Sequence, residues 1–160
     1  MSKYHMNKKD REIVDRQELD RILRQGKYAM IAMCRDNEPY IVTLSCGYDA
    51  ANNALYFHSA KKGLKIDFIT ANPEVCATVI EDKGYRMSEC EHSYSSVVMW
   101  GRMSMVDELE EKKHAMDVLI GHLEDDPETV KARIFKSDKV YEGVGILKLE
   151  IKEMTGKAGN

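Results

Sequence analysis

Ala54-Leu55-Tyr56-Phe57-His58-Ser59-Ala60-Lys61-Lys62-Gly63-Leu64-Lys65-Ile66-Asp67 begins as a β-strand and ends as a helix. Leu55, Tyr56 and Phe57 are the apolar and aromatic residues that strands favour. Leu64, Phe68 and Ala71 fall at helical spacing. The charge is the oddity. Lys61, Lys62 and Lys65 crowd the start of the helix, where the macrodipole favours Asp or Glu. Lys61 and Lys65 are four apart, so on one helical face they would repel by roughly a few tenths of a kcal/mol. A bound phosphate reverses each effect, because open N–H groups at a helix N-terminus and nearby cations hold anions. The same residues also read as a solvated basic turn.

Upstream, Asp15 with Glu18 resembles a capping box. Leu19, Ile22 and Leu23 give the following helix, residues 16–25, one apolar stripe, and Gly26 suits its C-terminal cap. Residues 1–14 read as a flexible lead-in. Tyr28 to Cys34 is apolar on both faces, and after a turn at residues 36–39 it forms a hairpin with a strand from Tyr40 to Tyr48. On that second strand Ile41, Thr43 and Ser45 alternate with Val42, Leu44 and Cys46. One face is apolar and the other carries two hydroxyls, ordinary on strands or able to line something polar. A second turn, residues 49–53, leads into the opening stretch.

Downstream, the helix stops at Asn72-Pro73, and Val75 to Ile80 is a strand. Glu81 to His92 reads as a long polar loop. Tyr94 to Val106 is a long strand with Val97, Met99, Gly101, Met103 and Met105 on one face, either core or subunit interface. Asp107 is expected to cap a helix whose stripe is Leu109, Met116, Leu119, Ile120 and Leu123. Asp126-Pro127 starts a shorter helix. Tyr141 to Ile151 is the last strand, with Lys148, Glu150 and Lys152 on its wet face, and residues 154–160 read as a polar tail. Strands in adjacent runs with hairpin turns indicate an antiparallel barrel with helices packed outside, in one domain over residues 1–160.

The 160 residues carry a net charge of -3, which argues against a general nucleic-acid binder. No apolar run approaches the ~20 residues that span a bilayer. The polar start, Met1 to Arg11, lacks the apolar core of a signal peptide, so the expected place is the cytoplasm, with no membrane partner. None of Cys34, Cys46, Cys76 and Cys90 forms a CxxC pair, and no metal site is expected. No GxGxxG follows a strand, and no nucleophilic triad, HExxH or carboxylate pair stands out. A phosphate at Lys61, Lys62 and Lys65 would lie beside Ser59, a donor to its oxygens, and His58, a residue able to exchange a proton with the rest of the ligand. His58 also reads as a satisfied structural histidine. Residue chemistry alone points to a phosphorylated ligand with a polar planar part.

Residues 56–67 resemble the flavin-site segment of the pyridoxamine 5'-phosphate oxidase-like split-barrel flavoproteins, in the branch of the nitroimidazole-resistance (Nim-type) proteins. The likeness extends, in order, to Glu38-Pro39-Tyr40-Ile41-Val42-Thr43-Leu44, Asn72-Pro73-Glu74-Val75-Cys76, Tyr94-Ser95-Ser96-Val97-Val98, Gly101-Arg102 and Glu153-Met154-Thr155-Gly156-Lys157. The resemblance implies a mainly β protein with helices (α+β), a six-stranded antiparallel split β-barrel that dimerises and holds FMN at the dimer interface. It implies that Lys61, Lys62 and Lys65 hold the phosphate. Val42, Thr43, Leu44 and Ser45 would run along the isoalloxazine ring, with His58 and Ser59 beside the flavin and Ser95 and Ser96 as further cofactor contacts. Trp100 and Arg102 would face the site or the partner subunit. His58 is the candidate proton donor of an FMN-dependent oxidoreductase acting on small electrophiles such as nitroaromatics, fed by reduced nicotinamide or another electron donor. A flavin-binding or redox-sensing module without turnover, or a barrel that binds haem or a deazaflavin, are the alternatives. The arginine-rich segment and the C-terminal arginine and tryptophan of the true pyridoxamine-phosphate oxidases are absent. Pro39-Tyr40-Ile41-Val42 and Thr155-Gly156-Lys157-Ala158 stand in their places, so the resemblance does not carry over oxidation of pyridoxine phosphate.

Overall fold

The structure, a computed structural model, describes residues 6–159. After a 3-10 turn at Lys9–Arg11 the chain runs through β1 (Glu12–Ile13), α1 (Arg16–Gln25), β2 (Tyr28–Arg35), β3 (Glu38–Asp49), β4 (Ala54–Ser59) and α2 (Leu64–Ala71). It continues through β5 (Glu74–Arg86), β6 (Glu91–Met105), α3 (Leu109–Leu123), α4 (Pro127–Ile134), α5 (Asp138–Gly143) and β7 (Gly145–Gly159). Six strands close a ring in the order β7-β4-β3-β2-β5-β6 and back to β7, every pair antiparallel, and β1 adds a two-residue pairing to the end of β7. This is the expected six-stranded split barrel. Closure removes the exposed edges that an open sheet of this size would present.

Strand parity sorts the side chains. Ala29, Ile31, Met33, Leu55, Phe57, Val97, Met99, Met103, Leu147 and Leu149 fill the barrel. The methionine-rich face of β6 is therefore core. A second apolar layer lies outside the barrel, where Ala54 and Tyr56 of β4 and Ile146 of β7 meet Ala115, Met116, Leu119 and Ile120 of α3. Gly47 permits this contact: a Cβ there would stand 2.9 Å from the Leu119 Cα. α1 and α2 pack Leu19, Ile22, Leu23, Phe68 and Ile69 into the barrel core, and α3 covers this outer flank. Across the other flank, outward side chains form unbroken cross-strand rows, Thr43-Met30-Thr78-Val98-Thr155 and Ile41-Ala32-Cys76-Trp100-Glu153. Tyr28, Ile41 and Ile80 are exposed there.

Several sequence expectations are corrected. Residues 81–92 are not a loop: β5 and β6 extend as a two-stranded ribbon, with Tyr85 opposite His92 and a register shift between Asp82 and Tyr85. Residues 82–90 are all exposed, so neither face carries the apolar alternation that marks a strand. The polar tail is strand as far as Gly159, paired with β6. The last strand starts at Gly145, after a helical turn at Asp138–Gly143. Within the lead-in, Lys9–Ile13 is ordered into secondary structure, while residues 1–5 lie outside the described residues. Asp15 caps α1 through Gln17 N as expected, but Glu18 turns to Arg21 instead of closing the box. Gly26 is not in a left-handed conformation (φ -69°); it is needed because a Cβ would collide with Val79. The helix cap falls at Glu108, one residue past Asp107. Among the described residues, no helix is long and apolar enough to cross a membrane.

His122 ties α3 to the barrel. Its Nε2 donates to the Gly26 carbonyl at 2.6 Å, and its Nδ1 accepts from the Tyr48 amide at 3.4 Å. That pairing requires a neutral ring. Burial, aided by the nearby Lys27 charge, pushes the His122 pKa below the ordinary value and outweighs the Gly26 bond. Above pH ~6.5 the ring is neutral both folded and unfolded, and the fold is not penalised. As pH falls below that, the unfolded chain takes up a proton that the folded ring resists, so stability declines. Denaturant melts at pH 7.5 and 5.5 should show a larger loss for the wild type than for His122→Gln. Equal losses would remove His122 as the cause.

Candidate functional site

The barrel splits between β3 and β4. Their pairing runs only from Cys46 opposite Phe57 to Asp49 opposite Ala54. The Cys46 amide bonds Lys27 O on the β2 side, and the Tyr48 amide points the same way to His122. Backbone direction alternates along a strand, so the N–H and C=O groups of Ile41, Thr43 and Ser45 face the edge that β4 has vacated. Their side chains lie on the outer face and are exposed. Val42 and Leu44 instead turn their side chains toward the core and their backbone toward β2. Of the expected quartet, Thr43 and Ser45 reach the candidate site and Val42 and Leu44 do not.

His58, at the end of β4, is exposed on the same outer face, opposite Ile146 of β7. It lines a cavity of about 350 Å³ together with Ser45. Ser59 is buried, and its hydroxyl donates to the adjacent Ala60 carbonyl at 3.0 Å. Lys61 leaves the strand end to donate to Glu142 O at 2.7 Å, an acceptor it shares with Lys112. Gly63 then breaks the chain with φ +126° before α2 begins. Lys61 therefore lies before the helix, and the expected repulsion from Lys65 on one helical face does not arise. Gly63 O accepts from the Ile66 and Asp67 amides. The earlier amides of the turn are among those every helix leaves without an intrahelical partner. Lys62 is exposed and Lys65 half-buried, and among the described residues neither forms a salt bridge. The strand end thus presents one open backbone edge, two uncommitted lysines and the start of a helix.

Ser95 and Ser96 stand elsewhere. Ser95 points inward, is 1% exposed and accepts from Lys83 Nζ at 2.8 Å. Ser96 faces outward opposite Lys157, whereas Ser59 pairs with Gly145. Those two β7 positions are twelve residues apart, roughly 30–40 Å of strand at ~3.3 Å per residue. One chain does not bring Ser96 and the lysines to a single small ligand. Trp100 is half-buried on the open flank and lines a cavity of about 790 Å³ with Ala32, Cys34, Cys76 and Lys152. Burial raises the Cys76 pKa, which keeps that thiol neutral. Arg102 is exposed beside Glu74 at 3.6 Å. Among the described residues, no three His, Cys, Asp or Glu side chains gather as a metal site requires.

The cavity beside His58 has a wall that the sequence does not announce. It is formed by α3, α4 and α5, and Val130, Ile134 and Phe135 read as ordinary helix residues until α4 is seen to lie over α3. The available signal was the width of the apolar stripe on α3, broader than contact with the barrel alone needs.

The sequence profile of the pyridoxamine 5'-phosphate oxidase family matches residues 15–158, and the chain belongs to that family. It is 34% identical over 90 residues to the uncharacterised protein RA0666 of Rhizobium meliloti (strain 1021). That alignment takes in 56% of this chain and 54% of RA0666, so the chain spans about half the length of the curated relative it matches. Among solved structures it is similar to a "putative 5-nitroimidazole antibiotic resistance protein" of Bacteroides thetaiotaomicron VPI-5482, with TM-score 0.75 and 28% identity over 92% of this chain and 86% of that one. A FAD-binding protein of Mesorhizobium loti shares the fold at TM-score 0.67 and 22% identity, over 92% of this chain and 96% of that one.

Gly63 combines φ +126° with ψ 174°, a conformation essentially restricted to glycine, although a Cβ there would meet nothing within 4 Å. Gly63→Ala should therefore cost about 1–3 kcal/mol from backbone strain alone. The check is a thermal melt, where a Tm lowered by several degrees is expected. An unchanged Tm would show that this turn is not held as described.

Proposed function

We propose that this member of the pyridoxamine 5'-phosphate oxidase family is a flavoprotein that binds FMN and reduces small electrophiles such as nitroaromatics. The observation that carries the reading is the vacated edge of β3, which offers flavin-sized recognition in one place. Backbone N–H and C=O groups of Ile41, Thr43 and Ser45 line that edge. Lys62, Lys65 and the first turn of α2 follow directly after β4. A flat, hydrogen-bonding ring suits the former, and a phosphate suits the latter, where cations and a helix N-terminus reinforce each other. The nitroimidazole-resistance assignment of the Bacteroides protein and the FAD binding of the Mesorhizobium protein support a flavin here.

When bound, the flavin supplies the electron chemistry, which protein side chains lack. The residues of this chain bind, orient and deliver protons. Thr43 and Ser45 position the ring through backbone and hydroxyl groups. Lys62 and Lys65 neutralise the phosphate, while Lys61 holds the strand end to α5 through Glu142 O. His58 faces outward beside Ser45 and is placed to give a proton to the reduced substrate. A reduced nicotinamide serves as electron donor in this reading.

The open flank supports a homodimer. Its cross-strand rows carry Tyr28, Ile41, Ile80 and Trp100 without a covering helix. A second copy laid on that face would bury them and bring its own Ser96 toward a flavin that this chain's Ser96 does not reach. Ser95, turned inward onto Lys83, is left out of the cofactor site.

Purified protein should be yellow or take up added FMN, with flavin absorption bands. A colourless protein that ignores FMN would sink the reading, and a haem or deazaflavin spectrum would replace it. Lys62→Ala and Lys65→Ala should each weaken FMN binding about tenfold or more, since a charge-assisted hydrogen bond contributes ~1.5–3 kcal/mol. Riboflavin, which has no phosphate, should bind both variants as it binds the wild type; a parallel loss for riboflavin would exclude a phosphate role. Light scattering on the loaded protein should give a dimer, and a monomer would exclude an interface site.

A further inference from the structure

The cavity beside His58 differs in kind from the lysine-flanked edge that it adjoins. Its floor is Met116, Leu119, Ile120 and Leu123 of α3. Its roof is Val130, Ile134 and Phe135 at α4, with Val140 of α5 and Val144 just after it. Among the described residues, its polar lining consists of Ser45, His58 and Glu124, and no lysine or arginine faces it.

The roof is only partly buried: Val130, Phe135, Tyr141 and Val144 pack against the α3 layer while staying part-exposed. Neither α4 nor α5 has a buried residue. The two are tethered to α3 at their outer edges by Lys131 with Asp117 at 3.3 Å and Lys113 with Asp138 at 3.0 Å. Inside, Phe135 and Tyr141 stack at 4.6 Å between centroids. Lys61 and Lys112 hold the end of α5 at Glu142 O, which ties the roof directly to the strand end carrying His58. An apolar cleft of about 350 Å³ between α3 and this roof is of ligand size.

We infer that this cavity holds the ring of the electron acceptor, and that it selects a neutral, apolar, one- or two-ring molecule over an anionic one. The inference rests on the flavin lying along β3. The ring would then sit between the α3 floor and the α4 roof, with its polar substituent at Ser45 and His58. An anionic substituent would be desolvated against apolar walls with Glu124 as the only charged group, which disfavours it on both counts. The same lining rejects phosphorylated pyridoxine-like substrates, in keeping with the missing arginines of the sequence. The specificity element is thus the α3 floor with the α4-α5 roof, and not the barrel.

A matched pair of probes tests this: 4-nitrotoluene and 4-nitrobenzoate share size and ring and differ in charge. Binding is read by ligand-observed saturation-transfer NMR on FMN-loaded and on FMN-free protein, so it does not depend on turnover. 4-Nitrotoluene should bind at least tenfold more tightly than 4-nitrobenzoate. Ile134→Trp, at a position 45% exposed and therefore tolerant of size, should weaken 4-nitrotoluene binding at least tenfold with FMN affinity unchanged. Glu124→Lys should narrow or invert the preference. Equal binding of the two probes, or binding indifferent to both substitutions, overturns the inference. Failure to take up FMN would instead overturn the proposed function, and the probe preference would still be read on the flavin-free protein.

Discussion

β7 pairs along both of its edges, with β4 on one side and β6 on the other, and this double pairing governs the molecule. With the ring closed, no strand edge is left at the β6-β7 seam. The relief that a small closed barrel needs is taken elsewhere, between β3 and β4, where pairing stops after Cys46 and Phe57. β4 is only six residues long and stays paired with β7 as far as Ser59, so beyond Phe57 it follows β7 and leaves β3 behind. The candidate site is the result: backbone groups of Ile41, Thr43 and Ser45 without a strand partner, beside the point where β4 gives way to α2. Unpaired backbone polar groups are expensive to bury without a partner. Here they are exposed, and a ligand can satisfy them.

The sequence was most readable where burial imposes a period. The α1 stripe of Leu19, Ile22 and Leu23 and the alternation of Leu147, Leu149 and Ile151 are both found where periodicity placed them. It was least readable where strands carry no such period. Asp82 to Arg86 is exposed on both faces and is held by polar cross-strand pairs such as Asp82 with His92, while Met154 to Gly159 is half-buried with few apolar side chains, so neither stretch shows an apolar period. The strand-to-helix break at Gly63 was legible, and so was the outward Thr43 and Ser45 face. Which residues share a ligand was less so. The positions of Ser95 and Ser96 follow from register, a long-range property, whereas the inward turn of Val42 and Leu44 was already legible in the strand's alternation, which the motif match overrode. The α4 wall of the cavity left no mark beyond the width of the α3 stripe, because Val130 and Ile134 acquire meaning only once α4 lies over α3.

The outer surface is divided by the same geometry. Gly47 lets α3 lie flat on β3 and β4, and His122 pins the far end of that helix to Gly26 and Tyr48. The two contacts fix the helical flank to one half of the barrel. The other half, rows from Thr43 to Thr155 and from Ile41 to Glu153, has no helix packed along it.

Ser45 and His58 stand where these halves meet. On one side of them the chain offers amides and lysines without counter-ions; on the other, apolar walls with a single carboxylate. A phosphate in the second environment would leave charge unpaired, and an apolar ring without hydrogen-bonding groups in the first would leave apolar area wet. In the proposed reading, this division orients a two-part assembly, with the anionic end of the cofactor toward α2 and the acceptor's apolar ring toward α3. Lys61 belongs to neither side. By donating to Glu142 O it ties the strand end to the cavity roof, so a shift of the phosphate-side turn would be felt directly at the wall of the apolar cavity.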